Sequence, residues 1–266
     1  MLKLDLHTHL KVSKRTPLQP GEARRFGSMA RERGLDGLAV TEHFHAPGFW
    51  LMYDELLQNH VYRRGRFETA DALMYSGAEL TLDEGVDLVL LAPLQDLRAL
   101  DRAFRLRLSC GYHPTAEEFL DASERLESPV VTILAHPFGH ARGADAMGPR
   151  AFADLIDAVE INARFVGEPE VRDTERLAQR HGLATTGGSD AHVHVQVGAA
   201  HTELAVEGDG FEDLAQAIRK CSTRAVVRAD AAAICREGRD RKKELKAVLP
   251  KLPGHAPAQV AAPVVA

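Results

Sequence analysis

Residues 3–10 read KLDLHTHL. Leu4 and Leu6 alternate with polar neighbours, as on a strand, and the run ends in two imidazoles two positions apart, His7 and His9. Residues i and i+2 of a strand share a face, so both rings can reach the same ion. Whether this strand end is decoration or half of a metal site depends on what the other strands end in.

Working outward, short apolar runs alternate with longer amphipathic stretches. GEARRFGSMARERG (21–34) predicts a helix with Phe26, Met29, Ala30 and Arg33 on one stripe and Gly34 as its stop. DGLAVT (36–41) predicts a strand. Residues 46–72 read as irregular, with a short helix around Trp50, Tyr53, Leu56 and Leu57, and a loop of this length suggests a cap over a pocket. Strands follow at 72–80 and 86–93, with a turn at Glu84-Gly85, then helices near 95–107 and 114–126. VVTILAHP (130–137) is the strongest buried-strand signal. Strands at 158–162, 183–188, near 199–206 and at 224–228 alternate with helices near 149–157, at 168–181 and at 211–221. Alternation of this kind implies parallel strands with helices outside, an α/β fold, and about seven or eight strands come within counting error of a barrel. A doubly wound open sheet is the structural alternative.

The chain has 266 residues, 45% of them hydrophobic, which supports one large domain. Residues 1–230 read as that domain, 231–249 as a charged C-terminal helix, and 250–266 as a disordered Pro/Ala-rich tail that includes His255. With 33 basic and 38 acidic residues, the net charge of −5 shows no strong nucleic-acid footprint. Three scattered cysteines, Cys110, Cys221 and Cys235, argue against a disulfide framework and a Cys-rich zinc module. No signal-peptide pattern opens the chain and no apolar run approaches the ~18 residues of a spanning helix. The expectation is a cytoplasmic protein without membrane contact.

The chemistry sits where strands stop. Past successive strands come His7-Thr8-His9, Glu42-His43, Glu79, His136, Asn162, and Asp190 with His192. In parallel α/β folds the C-terminal strand ends open on one face, so residues 7 to 192 are expected to converge there. Six strand ends drawn from His, Glu, Asp and Asn, without a Lys, form a donor set for Zn, Mn or Fe. Left without metal, these groups would be poorly compensated in a partly desolvated pocket.

In this order, DLHTH (5–9), TEH (41–43), GAE (77–79), AHP (135–137), EIN (160–162) and GSDAH (188–192) resemble the successive motifs of the PHP (polymerase and histidinol phosphatase) family. The resemblance spans residues 5 to about 202. It implies a distorted (β/α)7 barrel with the active site at the C-terminal strand ends. It also implies two or three divalent ions and hydrolysis of a phosphate ester by a metal-bound water. Transferred by position, His7, His9 and Asp190 become ligands of one ion and Glu79 a bridge between ions. His43, His192 and His136 serve neighbouring ions, and Asn162 lies near the site.

The chain departs from the family pattern in three places that bear on a third ion. The first motif continues with Lys11, Ser13, Lys14 and Arg15 where many members have an Asp or His. Asp87 stands in the strand that often carries a further His, with His113 in SCGYHP as a substitute. Glu42 replaces the commoner Asp. The cationic loop can recruit phosphate oxygens or remain solvated. His140, Arg142 and Arg164 are placed to contact a phosphate or protonate a leaving group. No G-x-S-x-G elbow or Walker loop competes with this reading. The expected function is a metal-dependent phosphoric ester hydrolase acting on a small phosphorylated substrate. A metal-dependent hydrolase of a non-phosphate bond and a non-catalytic metal-binding regulatory module are the alternatives.

Overall fold

The computed structural model describes residues 1–109, 111–128, 130–139 and 146–253. In chain order, β1 (Leu2–Thr8), α1 (Glu22–Glu32) and β2 (Gly37–Val40) are followed by α2 (Phe49–Asn59) and the hairpin β3 (Val61–Arg63) and β4 (Arg66–Glu68). Next come β5 (Leu73–Thr81), β6 (Asp87–Leu91), α3 (Leu94–Ser109), α4 (Ala116–Ser123) and β7 (Val131–Leu134). The chain continues through α5 (Pro149–Leu155), β8 (Ala158–Asn162), α6 (Glu168–His181), β9 (Ala184–Gly188) and β10 (Ala200–Leu204). It ends in α7 (Phe211–Arg219), β11 (Thr223–Val227) and α8 (Ala231–Val248). Residues 46–72, read as irregular, thus hold a full helix and a hairpin.

The main path of the sheet is β11-β10-β1-β2-β5-β6-β7-β8-β9, with β4 also on β5. Its two ends approach each other. Asp190 N–H donates to His7 O at 2.9 Å and His9 N–H to Ala191 O at 2.7 Å, so the segment after β9 lies beside β1. Gly187 N–H donates to Thr202 Oγ1 at 2.8 Å, joining β9 to β10. The expected distorted barrel is borne out as a nearly closed sheet with helices around it.

The expectation of uniformly parallel strands needs one correction. β6 runs against both β5 and β7, and β10 runs against β1 and β11. The link from β5 to β6 is a tight turn with Gly85 at φ 77°, too short for the crossover that parallel strands require. Because two reversals cancel, β1, β2, β5, β7, β8 and β9 still point the same way. These are the six strands whose ends carry the candidate site.

Strand residues divide by parity between two apolar layers. Leu38, Val40, Met74, Leu88 and Leu90 face outward against Phe26 of α1, Met52 of α2 and Leu97 of α3. Leu4, Leu6, Ala39, Tyr75 and Ile133 face inward with Phe211, Leu214 and Ile218 of α7. β10 ends beside Leu2, so α7 plugs the bottom of the barrel and leaves the C-terminal strand ends open. In β1 the register against β2 shifts by one residue between Asp5 and Thr8. This bulge turns His7 and His9 to the inner side that Leu4 and Leu6 already occupy.

Candidate metal centre

Glu79, at the end of β5, is buried at the centre of the open mouth. His7 Nε2 and His9 Nε2 each lie 3.6 Å from its carboxylate. His136 Nε2 lies 3.2 Å away and His43 Nδ1 2.6 Å away. His7 Nε2 and His9 Nε2 are 3.1 Å apart. Asp190 Oδ1 reaches His9 Nε2 at 3.3 Å and His192 Nδ1 at 3.4 Å. All seven metal-ligand candidates from the sequence therefore meet at one place.

Three overlapping groups offer ligand atoms within 4.8 Å of one another: His9, His43 and His192; His7, His9 and Glu79; and Glu79, Asp87 and His136. Asp87, noted from the sequence only as a departure, thus stands beside His136. Imidazole and carboxylate donors at this separation suit Zn²⁺, Mn²⁺ or Fe²⁺. Glu79 Oε2 is buried and accepts no hydrogen bond, even with His43 so near. An orphaned oxygen beside His9 and His43, on a carboxylate whose other oxygen lies beside His7 and His136, fits a missing cation.

Buried carboxylates behind the rings set their orientation. Glu160, inside β8, pairs with His7 Nδ1 at 2.9 Å and accepts from His136 N–H at 2.9 Å. That leaves His7 Nε2 free to face Glu79. Glu42 Oε1 lies 3.7 Å from His9 Nδ1 and accepts from His43 N–H at 3.0 Å. Asp5 holds the bulge, accepting from Ser189 N–H at 3.0 Å and Gly198 N–H at 2.7 Å. Gly188 leaves room for this arrangement, since a Cβ there would lie 2.2 Å from Glu160 Oε1 and 2.5 Å from His7 Cβ. His136 and Asp190 adopt left-handed backbone conformations, φ 31° and 53°, uncommon for residues with side chains.

The electrostatics match a site built for positive charge. Burial pulls His7 down, yet Glu160, Glu79 and Asp190 raise it to about 10. His9, opposed by burial and supported by Asp190, Glu42 and Glu79, rises to about 9. Burial would raise Asp190, but His9, His192 and His7 hold it well below the usual carboxylate range. His192 lies well below its ordinary value, through burial and the neighbouring His9 and Lys242.

The other candidates separate. Asn162 is buried and caps the short turn after β8, its Oδ1 accepting from Arg164 N–H at 2.9 Å. Arg164 stands at the rim, half exposed, with Nη1 3.3 Å from Asp190 Oδ2. His113 does not join the cluster; its ring packs edge-on against His45 at 5.5 Å. The loop that carries it is held at the turn between β5 and β6, where Asp83 N–H donates to Pro114 O at 2.9 Å. His140 and Arg142 lie outside the described residues, as do Cys110 and His255. Lys11 is buried and turns away, donating to Lys14 O and Pro47 O at 3.1 and 2.8 Å.

Sequence reading missed Glu160 and Lys242. The signal for Glu160 was a carboxylate inside the apolar run AVEIN; its partner, 153 residues away, was not visible. Lys242 comes from α8 and reaches the mouth beside His43 and His192.

Comparison with known proteins bears on the fold and the family. Residues 170–223, which include Asp190 and His192, match the family model described as PHP-associated. A probable phosphatase of Clostridium novyi (strain NT) is 28% identical over 213 residues, covering 73% of this chain and 81% of the relative. The crystal structure of PsfC from Pseudomonas syringae PB-5123 is similar with TM-score 0.79 and 26% identity, over 92% of this chain and 98% of that one. The lesion-specific endonuclease PfuEndoQ from Pyrococcus furiosus shares the fold with TM-score 0.66 and 21% identity, over 84% of this chain and 57% of that one. The resemblance to the PHP family read from the six motifs is borne out.

Proposed function

We propose that this chain is a metal-dependent phosphoesterase that hydrolyses a small phosphate ester. The observation that carries the reading is Glu79, buried and under-bonded, within 3.6 Å of the ring nitrogens of four histidines from three strand ends. The similarity to a probable phosphatase supports it. His7, His9, Glu79 and Asp190 would hold one divalent cation, His43 and His192 with His9 a second, and Asp87 and His136 with Glu79 a third. Zn²⁺, Mn²⁺ or Fe²⁺ bound there would neutralise phosphoryl oxygens and lower the pKa of water towards neutrality.

The chain's own groups supply position and charge. Glu160 fixes the His7 ring so that Nε2, not Nδ1, faces the mouth. Arg164, tethered to Asp190 at the rim, is placed to pair with a phosphoryl oxygen of the entering ester. Asn162 holds the turn that carries Arg164.

The test is turnover of p-nitrophenyl phosphate by protein stripped with chelator and then loaded with Mn²⁺, Zn²⁺ or Fe²⁺, beside Glu79→Gln. Activity should appear only on loading and fall by at least about 100-fold in the variant. Full activity after stripping, or in Glu79→Gln, contradicts the proposal.

A further inference from the structure

A cavity of about 430 Å³ opens directly onto the metal centre, with His43 and His192 in its wall. Besides Ser13 and Thr16, the rest of its lining is basic: Lys14, Arg15, Lys242, Lys246 and Lys251, without a carboxylate among the lining residues. The chain as a whole carries −5, so this is a local concentration of one sign. Five like charges around one concavity repel each other and attract an anion.

The basic wall is assembled from separate segments and fastened. Lys14 and Arg15 come from the loop after β1, and Lys242 and Lys246 from consecutive turns of α8. Lys251 follows α8, where Leu252 N–H donates to Arg15 O at 2.6 Å and Arg15 Nε donates to Leu252 O at 3.2 Å. Leu252, at the start of the segment expected as a disordered tail, is thus tied to the loop by one backbone bond and one side-chain bond. Lys242 is half-buried, which places its ammonium inside the concavity. The volume suits a small molecule, and the site is a pocket rather than the long groove that tracks a strand of nucleic acid.

We propose that this cavity is a subsite for a second phosphate, so that the preferred substrate is a small bisphosphorylated molecule which loses one phosphate at the metal centre and keeps the other among these lysines. The proposal rests on the phosphoesterase reading and names its substrate class. Lys and Arg donors around a phosphate give charge-assisted bonds, and a monoester leaves them unused.

The test compares fructose 1,6-bisphosphate with fructose 6-phosphate and p-nitrophenyl phosphate on the metal-loaded protein and on Lys242→Gln/Lys246→Gln. The wild type should prefer the bisphosphate in kcat/KM by at least about ten-fold, and the double variant should lose most of that preference. Lys246→Gln alone, at an exposed position, should lower the preference in the same direction with the thermal midpoint unchanged. Equal kcat/KM for the two sugar phosphates in the wild type, or an equal loss on all three substrates in the variants, overturns the subsite. So does faster turnover of a single-stranded oligonucleotide, which would assign the basic wall to a nucleic-acid backbone. Calorimetric binding of the bisphosphate separates this idea from the phosphoesterase reading. If no ester is turned over, about ten-fold weaker binding to the double variant still supports the subsite, and unchanged binding overturns it.

Discussion

At the scale of single residues, buried carboxylates stand behind two of the imidazoles, Glu160 behind His7 and Glu42 behind His9. Glu160 holds one ring of the cluster through its side chain and the backbone of another ligand candidate, His136. Glu160→Gln keeps the shape and removes the charge. It should weaken cation affinity by about 10–100-fold, measured by competition with a chromophoric chelator. Gly188→Ala should act through the same pair, because its methyl would press on both Glu160 and His7. A second expectation concerns protons. In metal-free protein His7 and His9 hold protons up to about 10 and 9, above their ordinary 6.5. A raised folded-state value contributes stability that is full below pH 6.5 and is lost as pH rises through the folded value. The thermal midpoint of chelator-treated protein should therefore fall between pH 6.5 and 8. Above that, the half-buried Lys242, lowered to about 8 by desolvation, works in the opposite direction. Cations displace the same protons, so apparent affinity should rise with pH and uptake at pH 7.5 should release protons, measurable by titration in two buffers of different ionisation enthalpy. A flat pH profile, or binding without proton release, contradicts this account. His7, His9, His43, Glu79, His136, Asp190 and His192 were legible because each stands just past an apolar run. Glu160 was not, because its role depends on strand β1 lying two places across the seam.

Elements show what pattern reading captures and where it stops. Strand ends and helix faces followed from periodicity: Phe26 and Ala30 of α1 are fully buried, as their spacing predicts. α4 begins inside the stretch expected as a helix near 114–126, and there Thr115 and Glu118 cap each other, Thr115 Oγ1 accepting from Glu118 N–H at 3.2 Å. The bulge in β1 has no periodic signature, since it arises from pairing with β2 and from Asp5 reaching across to Ser189 and Gly198. Segment 44–72 looked irregular because α2 and its hairpin are short and rich in aromatics. Its order comes from tertiary contacts. Tyr53, fully buried, donates to Val40 O at 2.8 Å or Gly77 O at 2.6 Å and accepts from Gly77 N–H at 2.9 Å. Trp50 stacks under the Arg98 guanidinium at 4.3 Å. Both residues anchor the segment to the core. Tyr53→Phe should cost about 1–3 kcal/mol in a denaturant titration, because it leaves buried backbone groups unpaired, while metal content stays unchanged. A loss below a few tenths of a kcal/mol would show that the hydroxyl anchors nothing.

Across the whole molecule, the candidate site belongs to the closed sheet and to no smaller part of it. Its seven ligand candidates span residues 7 to 192 and the ends of five strands. α8, read from the sequence only as a charged helix, returns to the same mouth with Lys242 and Lys246, a placement that sequence spacing cannot show. No helix among the described residues is long and apolar enough to cross a membrane. Because only the closed sheet gathers the donors, cations should stabilise the native state by mass action, about 2.7 kcal/mol at a hundred times Kd. The thermal midpoint should then climb steadily with free Mn²⁺ or Zn²⁺, and Glu79→Gln should flatten that rise.

The seam between β1 and the segment after β9 also sets a timetable. During synthesis the chain exposes His7 and His9 first and Asp190 nearly two hundred residues later. A nascent polypeptide still short of that point lacks Asp190 and His192, so the donor groups that use them can close only once the ribosome has delivered almost the entire barrel. The contacts that finish the centre are among the most distant along the chain, and such closures form slowly.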